Sequence, residues 1–148
     1  MPPNLGPRLP PEWAGVPARM ATADFAVWQR ARGALSLRVE AWHFDVGLGE
    51  GLPSQHVTTP DLRAALAELG RKRIDAVGIQ TDAWLLVELR HRAGPGALGA
   101  LLLYRALWER DPPDTKPVRA LLVAGEIDPD THLTAIHRDL EILVFPPG

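Results

Sequence analysis

Residues 73–90 read RIDAVGIQTDAWLLVELR, and the fold of the whole chain turns on how this stretch is read. On either side of Gln80-Thr81-Asp82-Ala83 lie two runs rich in Ile, Val, Leu and Trp with an alternation of period two, the pattern of a β-hairpin. With a two-residue loop at Thr81-Asp82, or a four-residue loop over 80–83, facing residues have numbers that sum to 163. Asp75 then faces Glu88, and Arg73 faces Arg90. Side chains two apart on a strand share a face, so Arg73, Asp75, Glu88 and Arg90 project from one side. Ile74, Ala76, Leu85, Val87 and Leu89 line the other.

Two carboxylates opposed in a sheet repel, and the arrangement needs a cation. Two readings meet that need. In one, the arginines supply it through diagonal ion pairs and the quartet is a closed salt-bridge cluster. In the other, a divalent metal sits between Asp75 and Glu88 with a basic residue beside it.

Asp75 on the first strand, Glu88-Leu89-Arg90 on the second and the helical run GALGALLLYRALW after them resemble the PD-(D/E)XK nuclease superfamily. More narrowly, RIDAVG, WLLVELR and ALGALLLYRALW are similar to phage-encoded members, whose pattern is an Arg-Ile-Asp strand, a Glu-Val-Lys strand and a Gly-Gln-Leu-Leu helix. The resemblance runs over residues 39–145. It implies an α/β fold with a mixed β-sheet flanked by helices, the restriction-endonuclease-like core. It also implies Asp75, Glu88 and Arg90 as catalytic residues, with Asp75 and Glu88 as ligands of one or two Mg²⁺ ions.

Two positions depart from that pattern. Arg90 stands in place of the lysine, and Ala100 in place of a frequent glutamine. Arginine keeps the charge but not the shape, since its planar fork prefers bidentate pairing with a carboxylate or phosphate and can clamp Glu88 or Asp75. The family often adds a glutamate from its first helix to the metal site. Here that helix offers only Asp24, and Glu40 on the next strand is the nearest substitute.

The chain has 148 residues, 46% of them hydrophobic, which suits one core. The formal net charge of −2 provides no general basic field for nucleic acid, so DNA contact has to be local. The densest basic run is Arg71-Lys72-Arg73, which can meet phosphate or complement the end of the helix before it. With no cysteine, disulfides and thiolate metal sites are excluded. The basic residues are almost all arginine, with 15 prolines and a single asparagine, Asn4; the pattern suits a GC-rich genome and a thermophilic host. No apolar run reaches the length of a transmembrane helix, and no membrane partner is expected.

Residues 1–21 hold prolines at 2, 3, 7, 10, 11 and 17 and read as an extended arm. Trp13 fastens it either to its own domain or to a neighbouring subunit. The arm lacks the apolar segment of a signal peptide, so the expected location is a virion or the host cytoplasm. Residues 22–148 form a single nuclease-like domain. Thr22 caps a helix to about Arg32 with Gly33 past its end, and Leu35, Leu37, Val39 and Ala41 then alternate as a strand. After a glycine-rich loop, Thr59 and Pro60 open a helix whose Leu62, Leu66 and Leu69 face inward and which Gly70 ends. A helix from Ala97 to about Arg110 is apolar nearly all round, as if buried between the sheet and another layer or a partner chain. Residues 118–123 read as a continuous apolar strand with no polar alternation after Arg119, Asp128 and Pro129 start a last helix, and LEILVF closes the sheet. His132 and His137 read as surface residues, five apart and off a common helix face.

Three functions fit this reading. The first is a phage-type nuclease-fold protein with a degenerate Glu-x-Arg site, acting without catalysis in virion assembly at the neck or tail, its arm gripping a second copy or another phage structural protein. The second is a Mg²⁺-dependent DNA endonuclease or exonuclease. The third is a module that binds DNA ends through Arg71, Lys72 and Arg73 without cleaving.

Overall fold

The computed structural model describes residues 1–51 and 59–147, with the side chains of 65–69 left aside. The elements follow the expected order: α1 (Thr22–Ser36), β1 (Ala41–Leu48), α2 (Pro60–Leu69), β2 (Lys72–Ile79), β3 (Trp84–Ala93), α3 (Pro95–Arg110), β4 (Val118–Ile127), α4 (Pro129–His137) and β5 (Glu141–Val144). The strands form one mixed sheet in the order β1-β2-β3-β4-β5. β1, β2 and β3 are an antiparallel meander, and β4 and β5 then run parallel to β3 after helical crossovers. This is an α/β fold with a mixed sheet flanked by helices.

Each face of the sheet has its own core. On one, α1 brings Val27, Trp28, Ala31 and Leu35 against Trp42, Phe44, Ala76, Leu85, Val87, Leu121 and Val123. On the other, Ala97, Leu98, Leu101, Tyr104 and Trp108 of α3 and Ala135 of α4 pack over Val46, Val77, Leu86, Ala120 and Leu122. β4 therefore has helices on both sides, which explains the buried run without charge from Ala120 to Gly125. Asp128 caps α4 as expected, accepting the Thr131 amide at 2.9 Å; its hydrogen bonds with Thr131 hold its pKa below the usual carboxylate value.

Three local expectations give way to tertiary packing. α1 runs through Gly33 to Ser36, because Leu35 extends the buried stripe of Val27, Trp28 and Ala31; the strand starts only at Ala41, and Leu37 is 90% exposed between them. Thr22 is the first helical residue, and the N-cap is Ala21. α3 buries one side only, leaving Leu103 exposed. On α2, Leu62 is exposed rather than inward, while Leu66 and Leu69 lie outside the described side chains. Among the described residues no helix is long and apolar enough to cross a membrane.

The arm lies along the outer edge of β1. Asn4 and Gly47 exchange backbone hydrogen bonds of 2.9 and 3.2 Å, and Leu9 and Trp42 exchange bonds of 2.9 and 2.8 Å. Trp13 packs on Phe44 with ring centroids 5.1 Å apart, so it fastens the arm to its own domain. Proline denies the arm a continuous ladder, yet two isolated bridges are enough to cover an edge that would otherwise offer unpaired backbone groups.

Candidate functional site: a carboxylate pair clasped by arginine

The hairpin takes the register expected from its sequence. Ile79 pairs with Trp84, Gly78 with Leu85, Val77 with Leu86 and Ala76 with Val87, and the Gln80 amide donates to the Ala83 carbonyl at 2.9 Å across the loop. Below Ala76 the ladder stops. The next amide in line, that of Leu89, would go to the Ile74 carbonyl in a continuing ladder, but it donates instead to Asp75 Oδ2 at 2.8 Å. β2 parts from β3 here, and its first residues stay with β1 through Val46–Ile74, Gly47–Arg73 and Leu48–Lys72. Asp45, with φ of 51°, interrupts β1 at the same level.

This divergence breaks up the expected quartet. Arg73 does not face Arg90, because β2 has left β3 by that point; its guanidinium reaches the Asp45 carbonyl at 3.3 Å and the Asp45 carboxylate at 3.8 Å. Ile74 likewise packs with Val46 and Leu48 beneath α3, not with Ala76, Leu85, Val87 and Leu89.

Asp75, Glu88 and Arg90 do come together. Glu88 is only 1% exposed. Arg90 Nη1 donates to Glu88 Oε1 at 2.9 Å and Nη2 to Oε2 at 3.4 Å, while Nη1 also lies 3.6 Å from Asp75 Oδ2 and bonds the Leu89 carbonyl at 2.9 Å. This is the bidentate fork that lysine cannot make. Burial, a hydrogen bond with Asp75 and the charge of Asp75 push the Glu88 carboxyl up to about 9, against the opposing pull of Arg90. The shift favours the protonated form of Glu88, which relieves the repulsion between opposed carboxylates. Burial works against the charge on Arg90, but Glu88, Asp75 and Asp24 outweigh it and hold the guanidinium above its ordinary pKa.

Tyr104, on the helix that reads as apolar nearly all round, also belongs to this site, which the sequence did not reveal. From α3 it lies close enough to Glu88 and Asp75 for them to act on its phenol, whose pKa is raised by burial first and by those two carboxyls next. The available signal was spacing, since Tyr104 stands one helical turn after Ala100 on a helix that follows the hairpin. Asp24 accepts the His91 amide at 2.7 Å and lies close enough to act on Arg90. Glu40 accepts the Thr81 hydroxyl at 2.9 Å, at the hairpin loop rather than beside Glu88.

Among the described residues no three His, Cys, Asp or Glu side chains gather as a metal site. With the Arg90 guanidinium seated on Glu88 and within reach of Asp75, the two carboxylates do not present open oxygens to a divalent ion in this arrangement. The basic run is also partly spent inside the fold. Arg71 is 6% exposed and donates to the Gly49 carbonyl at 2.8 Å and the Pro2 carbonyl at 2.7 Å, Arg73 holds Asp45, and Lys72 alone of the three is exposed.

No protein-family model matches the chain. No curated protein matches it. Among solved structures, the crystal structure of a repair endonuclease from Pyrococcus abyssi is similar, with a TM-score of 0.47 and 16% identity. The likeness covers 90% of this chain and 50% of that one, so the chain spans about half the length of the structure it matches.

Proposed function

We propose that this chain is a nuclease-like fold protein that does not cleave nucleic acid, and that it works as a structural component of an assembly, the neck or tail of a virion being the form that its phage-like sequence pattern suggests. The observation that carries the reading is the Arg90 fork on Glu88, with Asp75 within reach of the same guanidinium. A cation that belongs to the chain holds the position where a phosphodiesterase of this design would need an open carboxylate pair. The net charge of −2 supports the same reading, because it provides no long-range attraction for a polyanion. The inward turn of Arg71 weakens the DNA-end module further.

The arm does not support assembly in the way its sequence suggests, because its hydrogen bonds go to its own edge strand. A partner surface has to be sought elsewhere. The metal-dependent nuclease stays as a second reading on one observation: β2 and β3 part at Asp75, with Asp75 and Glu88 on the two sides of the opening.

Calorimetric titration of Mg²⁺ and Mn²⁺ into the purified chain, with cleavage assays on supercoiled and linear DNA in the same buffers and Asp75→Ala as control, separates the two. The expected outcome is no Asp75-dependent heat and no cleavage. Asp75-dependent binding with cleavage would establish the nuclease and overturn the proposal. Arg90→Lys adds depth, because cleavage regained by that one change would mean that the fork alone keeps the site closed.

A further inference from the structure

At the end of the sheet that carries the hairpin loop, the last turn of α3 and the segment leading into β4 border a cavity of about 550 Å³. Its lining includes Trp108, Glu109, Asp114, Lys116, Pro117 and Val118. It is separate from the Arg90 site, since Glu88 follows Trp84 by about 13 Å along β3. The volume suits a small molecule, and the walls are mostly apolar.

The polar groups of the lining are held by bonds that leave particular atoms open. The Trp84 indole N–H and the Lys116 amide both donate to Asp114 Oδ1, each at 2.9 Å, and Oδ2 takes neither bond. The Trp84 bond is the main cause that holds the Asp114 carboxyl below the usual carboxylate pKa. Lys116 Nζ donates to the Gln80 carbonyl at 3.2 Å and lies 4.5 Å from the centre of the Trp84 ring, with further hydrogens to give. Glu109 makes no ion pair or hydrogen bond among the described residues. Trp108 is 1% exposed, and its indole N–H has no partner among them. The indoles of Trp28 and Trp42 lack one as well, but those two rings pack edge to face in the α1 core.

A ligand that completes this lining needs flat apolar faces, paired N–H donors for a free carboxylate and acceptors for Lys116 and the indole. Guanine has all of these. Its N1–H and N2–H lie parallel and match the two oxygens of one carboxylate, while O6 and N7 accept. Adenine and cytosine place a ring lone pair beside their amino group, and uracil flanks its N–H with two carbonyls, so each sets an acceptor against a carboxylate oxygen. A guanidinium has the paired donors but no acceptor, and it would bring a second cation to Lys116. Two carboxylates against one ammonium leave the lining negative, which favours an uncharged nucleoside over a nucleotide or a strand.

We propose that this cavity binds guanine as a free nucleoside, with Glu109 accepting the N1–H and N2–H pair, Asp114 Oδ2 the second N2 hydrogen, and Lys116 donating to O6. The site goes beyond the assembly role and holds whether or not the chain cleaves nucleic acid.

The test is a titration of guanosine into the full chain, followed through the indole N–H signals in nitrogen–proton NMR spectra. The signals of Trp84 and Trp108 should move while those of Trp13, Trp28 and Trp42 stay, with a Kd of roughly 40 µM at the ligand efficiency of a molecule of this size. Inosine, which lacks the N2 amino group, should bind about tenfold more weakly, and adenosine more weakly still. Glu109→Gln, at an exposed position, turns one accepting oxygen into a donor. It should weaken guanosine about tenfold and leave the unfolding midpoint in place. Guanosine at about 1 mM that moves neither signal would overturn the proposal. So would inosine that binds as tightly as guanosine, an affinity untouched by Glu109→Gln, or guanosine 5′-phosphate that binds more tightly than the nucleoside.

Discussion

At position 90 an arginine meets two carboxylates. Its fork grips Glu88 through both oxygens and pulls the Glu88 pKa down, but burial and Asp75 outweigh it and push the carboxyl up to about 9 against an ordinary 4.5. The consequence for stability has a definite sign. The folded chain binds this proton more tightly than the unfolded chain, so the stabilisation is whole below about pH 4.5 and drains away as pH rises toward 9. The steepest slope available to one group is about 1.4 kcal/mol per pH unit. Urea unfolding at about pH 5, 7 and 8.5 should show stability falling across the series, and Glu88→Gln, which keeps the shape without the titration, should flatten the fall. An unchanged slope in that variant would mean that Glu88 is already ionised in the folded chain, with Arg90 as its counter-ion.

Among the elements, the arm and β2 show where sequence and tertiary structure part. Arg71 fixes the start of the arm, since its buried guanidinium ties Pro2 and Gly49 together. Arg71→Ala leaves those carbonyls without their charged donor and should cost about 2–3 kcal/mol in denaturant unfolding. Protease cleavage within 1–21 should quicken in the same variant, and an arm as protected as before would mean that the Asn4 and Leu9 bridges hold it without Arg71. The order of elements was legible, and so was the hairpin register, because the alternation of 74–79 and 84–89 and a short polar loop are local signals. The Asp75, Glu88 and Arg90 grouping followed from that register. The parting of β2 from β3 was not legible. It depends on Asp75 capturing the Leu89 amide and on Asp45 interrupting a different strand, and neither event has a pattern in the sequence of its own segment. Arg73 was misplaced for that reason. α1 ran four residues past its expected end for a related one: Gly33 reads as a stop, but burial of Leu35 outweighs the roughly 1 kcal/mol that a glycine costs inside a helix.

For the molecule as a whole, a sheet clad on both faces makes two cores that share one wall. α1 packs on one side and α3 and α4 on the other, and the strands between them contribute alternate side chains to each. With both faces covered, partners can reach the sheet only along its edges, and the arm has taken one of these. Whether the wall joins the two cores into one cooperative unit can be measured. Val27→Ala trims the α1 side and Ile74→Val the α3 side, at two fully buried positions in different clusters. The first removes two buried methyls from a helix that alanine suits, for about 2 kcal/mol; the second removes one methyl, for about 1 kcal/mol. Because the two sites share no cluster, the double variant should lose their sum to within about 0.5 kcal/mol. It should also keep the denaturant slope of the parent, because the two layers unfold together and expose the same surface. A lowered slope, or a second transition in the double variant, would show the layers unfolding separately. The sheet would then be a partition between two small domains, and the closed Arg90 site, which takes Glu88 from β3 and Tyr104 from α3, would belong to the α3 layer alone.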